Sequence, residues 1–282
     1  MSKIKLPYVF VIGNEKGGAG KTTCAMHLIT GLLDSGLRVA SIDSDCRQGS
    51  LTRYIENRRS YNQKNPSHIV PESRHFLLKE SAAGDLSSKE KEESEDFVRI
   101  LSDAASDVDV IVIDTPGSHT FLSRLAHSHA DTVVTPINDS FLDIDVMARV
   151  NADDMSIIGP SIYSQMLWDQ KMARAKRDGG SINWVVMRNR LSNLDAANKR
   201  SVASVLEQLS KRISFTVAPG FSERVIFREL FLQGLTLHDL TKANYGKSFS
   251  LSHVAARQEL RDFLACLNIE EILSVATSAR DK

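Results

Sequence analysis

The chain has 282 residues, 42% of them apolar, enough to fill one large core, and one domain over residues 1–282 is expected. Thirty-five Lys and Arg balance thirty-five Asp and Glu, which excludes a global field for nucleic acid and leaves only a local patch. Cys24, Cys46 and Cys266 stand far apart with no C-x-x-C pair, which argues against a zinc site or an iron–sulfur cluster and fits a reduced, cytosolic chain.

Lys3 and Lys5 precede the apolar run LPYVFVIG, which is short and ends in a glycine loop rather than at a small-residue cleavage site, so no export signal is expected. No apolar run approaches the ~20 residues needed to cross a bilayer, and no membrane insertion is expected. The run from Tyr8 to Gly13 reads as a strand buried on both faces. After it, Ala25, Leu28, Ile29 and Leu32 fall at helical spacing and end near Gly36. RVASID then predicts a strand ending at Asp43. Residues 57–96 hold NRRSYNQKNPS and ESAAGDLSSKEKEESED with few apolar positions, and read as a polar surface insertion of solvated loop and frayed helix. DVIVID (109–114), TVVTPI (132–137), INWVVM (182–187) and ISFTV (213–217) continue the strand series, with helical patterns between them. The expected architecture is α/β: an open, mostly parallel sheet with helices on both faces.

The stretch GNEKGGAGKTTC, Gly13 to Cys24, links the first strand to the first helix. The standard phosphate loop reads G-x-x-x-x-G-K-[ST], and Gly20, Lys21 and Thr22 fit its end. Glu15 stands where the first glycine belongs and Lys16 follows it, so the loop is a variant. The backbone of Gly17, Gly18, Ala19, Gly20, Lys21, Thr22 and Thr23 supplies amides around phosphates, helped by a helix N-terminus. Lys21 adds charge at the β and γ phosphates, and Thr22 offers a hydroxyl to Mg²⁺.

In open sheets of this kind ligands lie beyond the carboxyl ends of the strands, which brings Asp43, Asp45 and Asp114 to one site. Asp114 follows VIVI and precedes TPG, which suits a carboxylate holding Mg²⁺ or its water, with the Gly117 amide facing the γ phosphate. Of Asp43 and Asp45, one can support the metal or the loop and the other can orient an attacking water. Asn189, at the end of VVMRN, and Pro219, in VAPGF, are candidates for the base pocket, or plain strand terminators. From Lys171 to Arg228 there are twelve Lys or Arg against four Asp or Glu. Arg190, Lys199, Arg200, Arg224 and Arg228 are the candidates for non-specific DNA contact, with ordinary solvated helix faces as the alternative. His27, Trp168 and Trp184 sit in apolar patterns and read as core.

The loop form K-G-G-x-G-K-[ST], Lys16 to Thr22, resembles that of the deviant phosphate-loop ATPases of the ParA and MinD type. Further blocks, IDSDCRQGSLTRYIENRR, IDTPGS, TPINDSFLD, WVVMRNRLS, ERVIFRELFLQGLTL and SLSHVAARQELR, resemble the MipZ family within it, over almost the whole chain. The resemblance implies ATP and ADP with Mg²⁺ as cofactors. It implies that Lys16 reaches the ATP of a partner subunit in a homodimer, that Asp45 orients the attacking water, and that Asp43 joins Thr22 and Asp114 at the metal. It further implies a ParB-like centromere-binding partner, FtsZ as the target of inhibition, association with nucleoid DNA, and hydrolysis that times the positioning of the division plane. Two alternatives stay open: a plasmid or chromosome partition ATPase of the ParA type, and a metabolic ATP-dependent ligase. A MinD-like membrane helix at the C-terminus is disfavoured because Glu270 and Glu271 interrupt its apolar positions.

Overall fold

Runs such as VFVI and VIVID carry no charge before their last residue, so they are stable only where helices cover both faces of the sheet they join. The computed structural model describes residues 6–138, 141–151, 157–191, 196–241 and 251–280, with the backbone alone at 141, 142, 150, 157, 196–201, 241 and 251. In chain order the elements are β1 (Tyr8–Ile12), α1 (Lys21–Asp34), β2 (Val39–Asp43), α2 (Ser50–Lys64), β3 (Arg74–Leu77), α3 (Leu86–Ala105), β4 (Val110–Asp114), α4 (Phe121–His129), β5 (Thr132–Asn138) and α5 (Phe141–Ile144). They continue with β6 (Ala148–Val150), β7 (Ile157–Pro160), α6 (Ile162–Asp178), β8 (Asn183–Leu191), α7 (Ala196–Ile213), β9 (Thr216–Ser222), α8 (Ile226–Gln233), α9 (Leu251–Ala265) and α10 (Ile269–Arg280).

Seven of the strands pair in the order β3-β2-β4-β1-β5-β8-β9, every pair parallel, while β6 and β7 form a separate antiparallel ribbon. After β3 the chain returns to insert β4 beside β1 and then places β5 on the other side. The loop leaving β1 therefore opens where the winding reverses, the place such sheets bind ligands. Alternate strand residues point to opposite faces. Phe10, Ile12, Val110 and Val112 pack under α1, α2, α8, α9 and α10, whereas Val9, Val11, Ile111 and Ile113 pack under α3, α4, α6 and α7. No helix among the described residues is long and apolar enough to cross a membrane.

The structure corrects three sequence expectations. The stretch 57–96 is not a loop insertion: it holds most of α2, the edge strand β3 paired in register with β2, and the first half of α3. Its polarity misled because α2 buries a charge. Arg58 is fully buried and forks onto Asp239, with Nη1 to Oδ2 at 2.7 Å and Nη2 to Oδ1 at 2.8 Å, while its remaining donors reach the carbonyls of Pro71 and Gly234. A side chain on Gly234 would meet the Arg58 backbone nitrogen at 2.0 Å, so the turn closing α8 packs directly against α2.

The last strand lies three to five residues later than ISFTV, and VAPGF falls inside it. Pro219 is accepted there because β9 is an edge, and Gly220 is required because an added Cβ would lie 1.2 Å from the Arg188 carbonyl oxygen of β8. Trp168 is 57% exposed rather than core, because α6 buries Tyr163, Met166 and Leu167 and the next position turns away; His27 and Trp184 are buried as expected.

Arg58→Met leaves Asp239 buried without its fork and should lower unfolding free energy by about 3–5 kcal/mol in urea titrations. Pairing it with Asp239→Leu should recover most of that loss, since a buried ion pair replaced as a whole by apolar groups is often close to neutral.

Candidate nucleotide-binding site

Because all seven strands run in one direction, the tips of β1, β2, β4, β5, β8 and β9 share one edge, and the loops leaving them enclose two adjoining cavities of about 550 and 390 Å³. The larger is lined by Gly17, Gly18, Gly20, Lys21 and Thr22 from one side and by Asp45, Asp114 and Gly117 from the other.

The loop from Gly13 to Gly20 is held open by its glycines and by two asparagines. Gly18 and Gly20 have φ of 75° and 87°, the left-handed region that side chains resist, and Gly20 is the residue from which α1 starts. Asn14 donates from Nδ2 to the Pro136 carbonyl at 2.6 Å and accepts from the Lys16 amide at 2.8 Å, which fixes the loop entrance on β5. Asn189 donates to the Ala19 carbonyl at 2.8 Å. It braces the loop and also lines the smaller cavity. Pro219 is exposed on β9, does not line either cavity, and Ser222, Glu223, Arg224 and Phe227 line the smaller one instead.

Lys21 begins α1, and its Nζ donates to the Lys16 carbonyl at 3.2 Å, folded across the loop. Burial lowers its affinity for the proton, with Asp114 and Asp45 opposing. A Cβ on Gly117 would stand 3.2 Å from Lys21 Nζ and from the Gly17 amide, so the backbone at Gly117 approaches the loop as closely as glycine permits.

Asp43 and Asp114 are register partners at the tips of β2 and β4, yet their surroundings differ. Asp43 Oδ1 accepts from the Asp45 amide at 3.0 Å, and Oδ2 accepts from the Thr52 amide and hydroxyl, both at 2.9 Å. It is engaged as the support of the Asp45 loop, one of the two roles the sequence leaves open for it. Asp114 accepts from the Thr22 hydroxyl at 2.7 Å through Oδ2, while Oδ1 is buried without a hydrogen-bond partner among the described residues. Burial pushes its carboxyl up to about 7, with the Asp43 and Asp45 charges adding and the Thr22 hydroxyl and Lys21 opposing.

Thr22 and Asp114 are hard oxygen donors beside the phosphate cradle, and the unsatisfied Oδ1 lacks a counter-charge. That fits Mg²⁺, which takes one or two protein oxygens and completes its shell with phosphates and water. No cluster of three His, Cys, Asp or Glu able to hold a metal by itself occurs among the described residues.

Lys16 is 38% exposed at the loop entrance, and its Nζ pairs with Oδ2 of the buried Asp143 of α5 at 3.1 Å. Sequence reasoning missed Asp143, Asn14 and Thr52, single polar residues that belong to no motif and whose contacts with Lys16, Pro136 and Asp43 only the fold reveals. Of the DNA candidates, Arg190 has φ of 51° and lines both cavities, Arg228 lines the smaller one, and Arg224 is bound to Glu259 at 2.7 Å. All three line the smaller cavity. The side chains of Lys199 and Arg200, on α7, lie outside the described residues.

The profile of the ATPase MipZ family matches residues 8–271. The chain is 30% identical over 150 residues to the septum site-determining protein MinD of Helicobacter pylori, 49% of this chain and 56% of that one. It spans about half the length of the curated relatives it matches. Its fold is similar to a plasmid partition protein of Borrelia burgdorferi B31 bound to AMPPNP, with a TM-score of 0.57 and 17% identity over 92% of this chain and 99% of that one. It is also similar to MinD of Pyrococcus horikoshii OT3 complexed with Mg-ADP, with a TM-score of 0.54 and 16% identity over 90% and 93%.

Asp114→Asn removes a buried charge that costs stability as pH rises from about 4, where an exposed carboxylate ionises, through about 7, where this one does. The substitution should raise the melting temperature of the nucleotide-free protein at pH 8, by up to about 4 kcal/mol of stability, with little effect at pH 4. It should also remove the Mg²⁺ dependence of nucleotide affinity.

Proposed function

The chain belongs to the ATPase MipZ family, and on that premise we propose that it is an ATP-hydrolysing dimerisation switch that restrains FtsZ assembly and so positions the division plane. The observation that carries this reading is the pairing of a complete phosphate cradle with a lysine at its rim that the cradle does not use. A lysine serving the protomer's own phosphates would sit with Lys21; Lys16 sits outside and is held by Asp143.

In this reading the amides leading into α1 and the Lys21 ammonium bind the β and γ phosphates, and the Gly117 amide meets the γ phosphate from the opposite wall. Thr22 and Asp114 would hold Mg²⁺, which supplies neutralisation of phosphate charge. Asp45 orients the attacking water, held in place through its own backbone by Asp43. The cavity beside Gly20, Asn189 and Phe227 takes the adenine.

Lys16 leaves Asp143 and contacts the triphosphate of a second copy. Only the lysine end of this pair is exposed, 38% against 2% for Asp143, so the amine is the half that can turn to a more highly charged partner. ADP offers less charge at that point, and dimerisation thereby reports which nucleotide is bound. A ParB-like protein would raise the local concentration of monomers, nucleoid DNA would retain dimers, and hydrolysis would reset the cycle. The matches to ParA- and MinD-type proteins support a partition ATPase equally well at the level of the switch. Sedimentation of FtsZ polymer with and without the ATP-bound protein separates the two: loss of polymer supports the division reading, and unchanged polymer removes it.

Sizing chromatography should give a dimer for Asp45→Ala with ATP and a monomer for the unaltered protein with ADP. Lys16→Ala should bind ATP within about threefold of normal affinity and stay monomeric. A Lys16→Ala dimer of undiminished stability would show that this amine takes no part in association.

A further inference from the structure

Asp43 is held from a direction the proposed chemistry does not account for. Behind Thr52, whose hydroxyl donates to Asp43 Oδ2, lies a partly buried polar ladder: Thr52 Oγ1 is 3.0 Å from His75 Nε2, His75 Nδ1 is 2.9 Å from Ser41 Oγ, and Ser41 Oγ is 2.8 Å from Ser73 Oγ. Three elements contribute. Ser41 and Asp43 lie two apart on β2 and share a face, His75 is the register partner of Ser41 on β3, and Thr52 stands in the first turn of α2.

An ionised Asp43 fixes the direction of every bond in this ladder. A carboxylate only accepts, so the Thr52 hydroxyl spends its proton on Asp43 and can only accept from His75. His75 therefore carries its proton on Nε2 and presents a lone pair at Nδ1, where Ser41 donates, and Ser73 then donates to Ser41. Burial keeps the ring neutral, lowering its pKa to about 4, with Arg59 of α2 the charged neighbour that adds to the effect. With both ring nitrogens used, the imidazole prevents the Thr52 hydroxyl from rotating away from Asp43.

We propose that His75, acting through Thr52, is a positioning residue that holds Asp43 in the orientation from which it anchors the Asp45 backbone. The proposal rests on the reading of Asp45 as the carboxylate that orients water. Packing alone would not need this ladder, since Val39, which shares this face of β2 with Ser41 and Asp43, is apolar and buried. The chemically informative end of the ladder is Asp43, whose other oxygen holds the Asp45 amide at 3.0 Å.

The test compares His75→Gln with His75→Asn in the full chain. The Gln amide nitrogen can reach the Nε2 position and keep the donor to Thr52, whereas Asn reaches only the Nδ1 position. We expect His75→Asn to lower ATP turnover about tenfold, as loss of one hydrogen bond in the support of an ionised group does, with Mg-ATP affinity within about twofold. Hydrogen exchange of the amides in 44–52 should rise in nucleotide-free His75→Asn, and His75→Gln should match the unaltered protein in all three measurements. Thr52→Ser and Thr52→Val form a second pair that keeps and removes the same hydroxyl, should the His75 variants fail to fold. Equal turnover and equal exchange within a folded pair would overturn the proposal. If the unaltered protein hydrolyses no ATP, the ATPase reading fails by itself, and the exchange difference still decides whether His75 positions the loop.

Discussion

A carboxylate buried with one oxygen unsatisfied is the constraint from which the site is built. Asp114 ends a strand whose preceding residues are wholly buried, so its side chain emerges where water is scarce and the Asp43 charge lies alongside. Among the described residues it receives a single hydroxyl, from Thr22, and no full counter-charge, since Lys21 is turned to the Lys16 carbonyl. Such an arrangement is costly in the empty protein, and in the proposed reading a cation and its phosphates would relieve that cost. The same holds for Lys21, whose ammonium is destabilised by burial until an anion approaches. The left-handed backbone at Gly18 and Gly20 is tolerated for the same end, leaving amides directed at the cradle instead of at a carbonyl.

The phosphate loop and the strands around it were legible because their signals are local. A glycine loop between an apolar run and a helical pattern, with aspartates closing two further apolar runs, needs no knowledge of distant contacts. The stretch 57–96 was not legible, and Arg58 shows why. A polar helix normally reads as solvated, yet here one guanidinium is buried by a carboxylate 181 residues away, and only the fold reveals the partner. The four-residue strand β3 gives no statistical signal of its own; it exists because the exposed edge of β2 accepts it in register.

The site residues divide in the same way. Backbone roles, such as those of Gly20 and Gly117, are dictated by residue type, because few other residues could adopt or approach those positions. Side-chain roles are not. Asn189 looked suited to a base because it stands near a strand end at the right edge, but the sequence could not show that one N–H of its amide serves the Ala19 carbonyl. Arg224 looked like a free cation until Glu259 of α9 was seen to hold it, with the Ser222 amide and hydroxyl on the same carboxylate. That carboxylate thus ties the rim of the smaller cavity to the C-terminal helices.

Lys16 differs from Lys21, Asp43 and Asp114 in how little its present contact binds it. Lys21 and Asp114 are committed by burial, and Asp43 by its hydrogen bonds, whereas Lys16 keeps more than a third of its surface in water and pairs with one carboxylate among the described residues. A group fixed by burial cannot exchange partners without disturbing the core, whereas the exposed amine of Lys16 can turn away while its buried partner Asp143 stays in place. Placing the exchangeable contact at the rim and the fixed contacts inside separates two properties that a switch needs. In the proposed reading the interior would set whether nucleotide binds, and the rim would convert that binding into association.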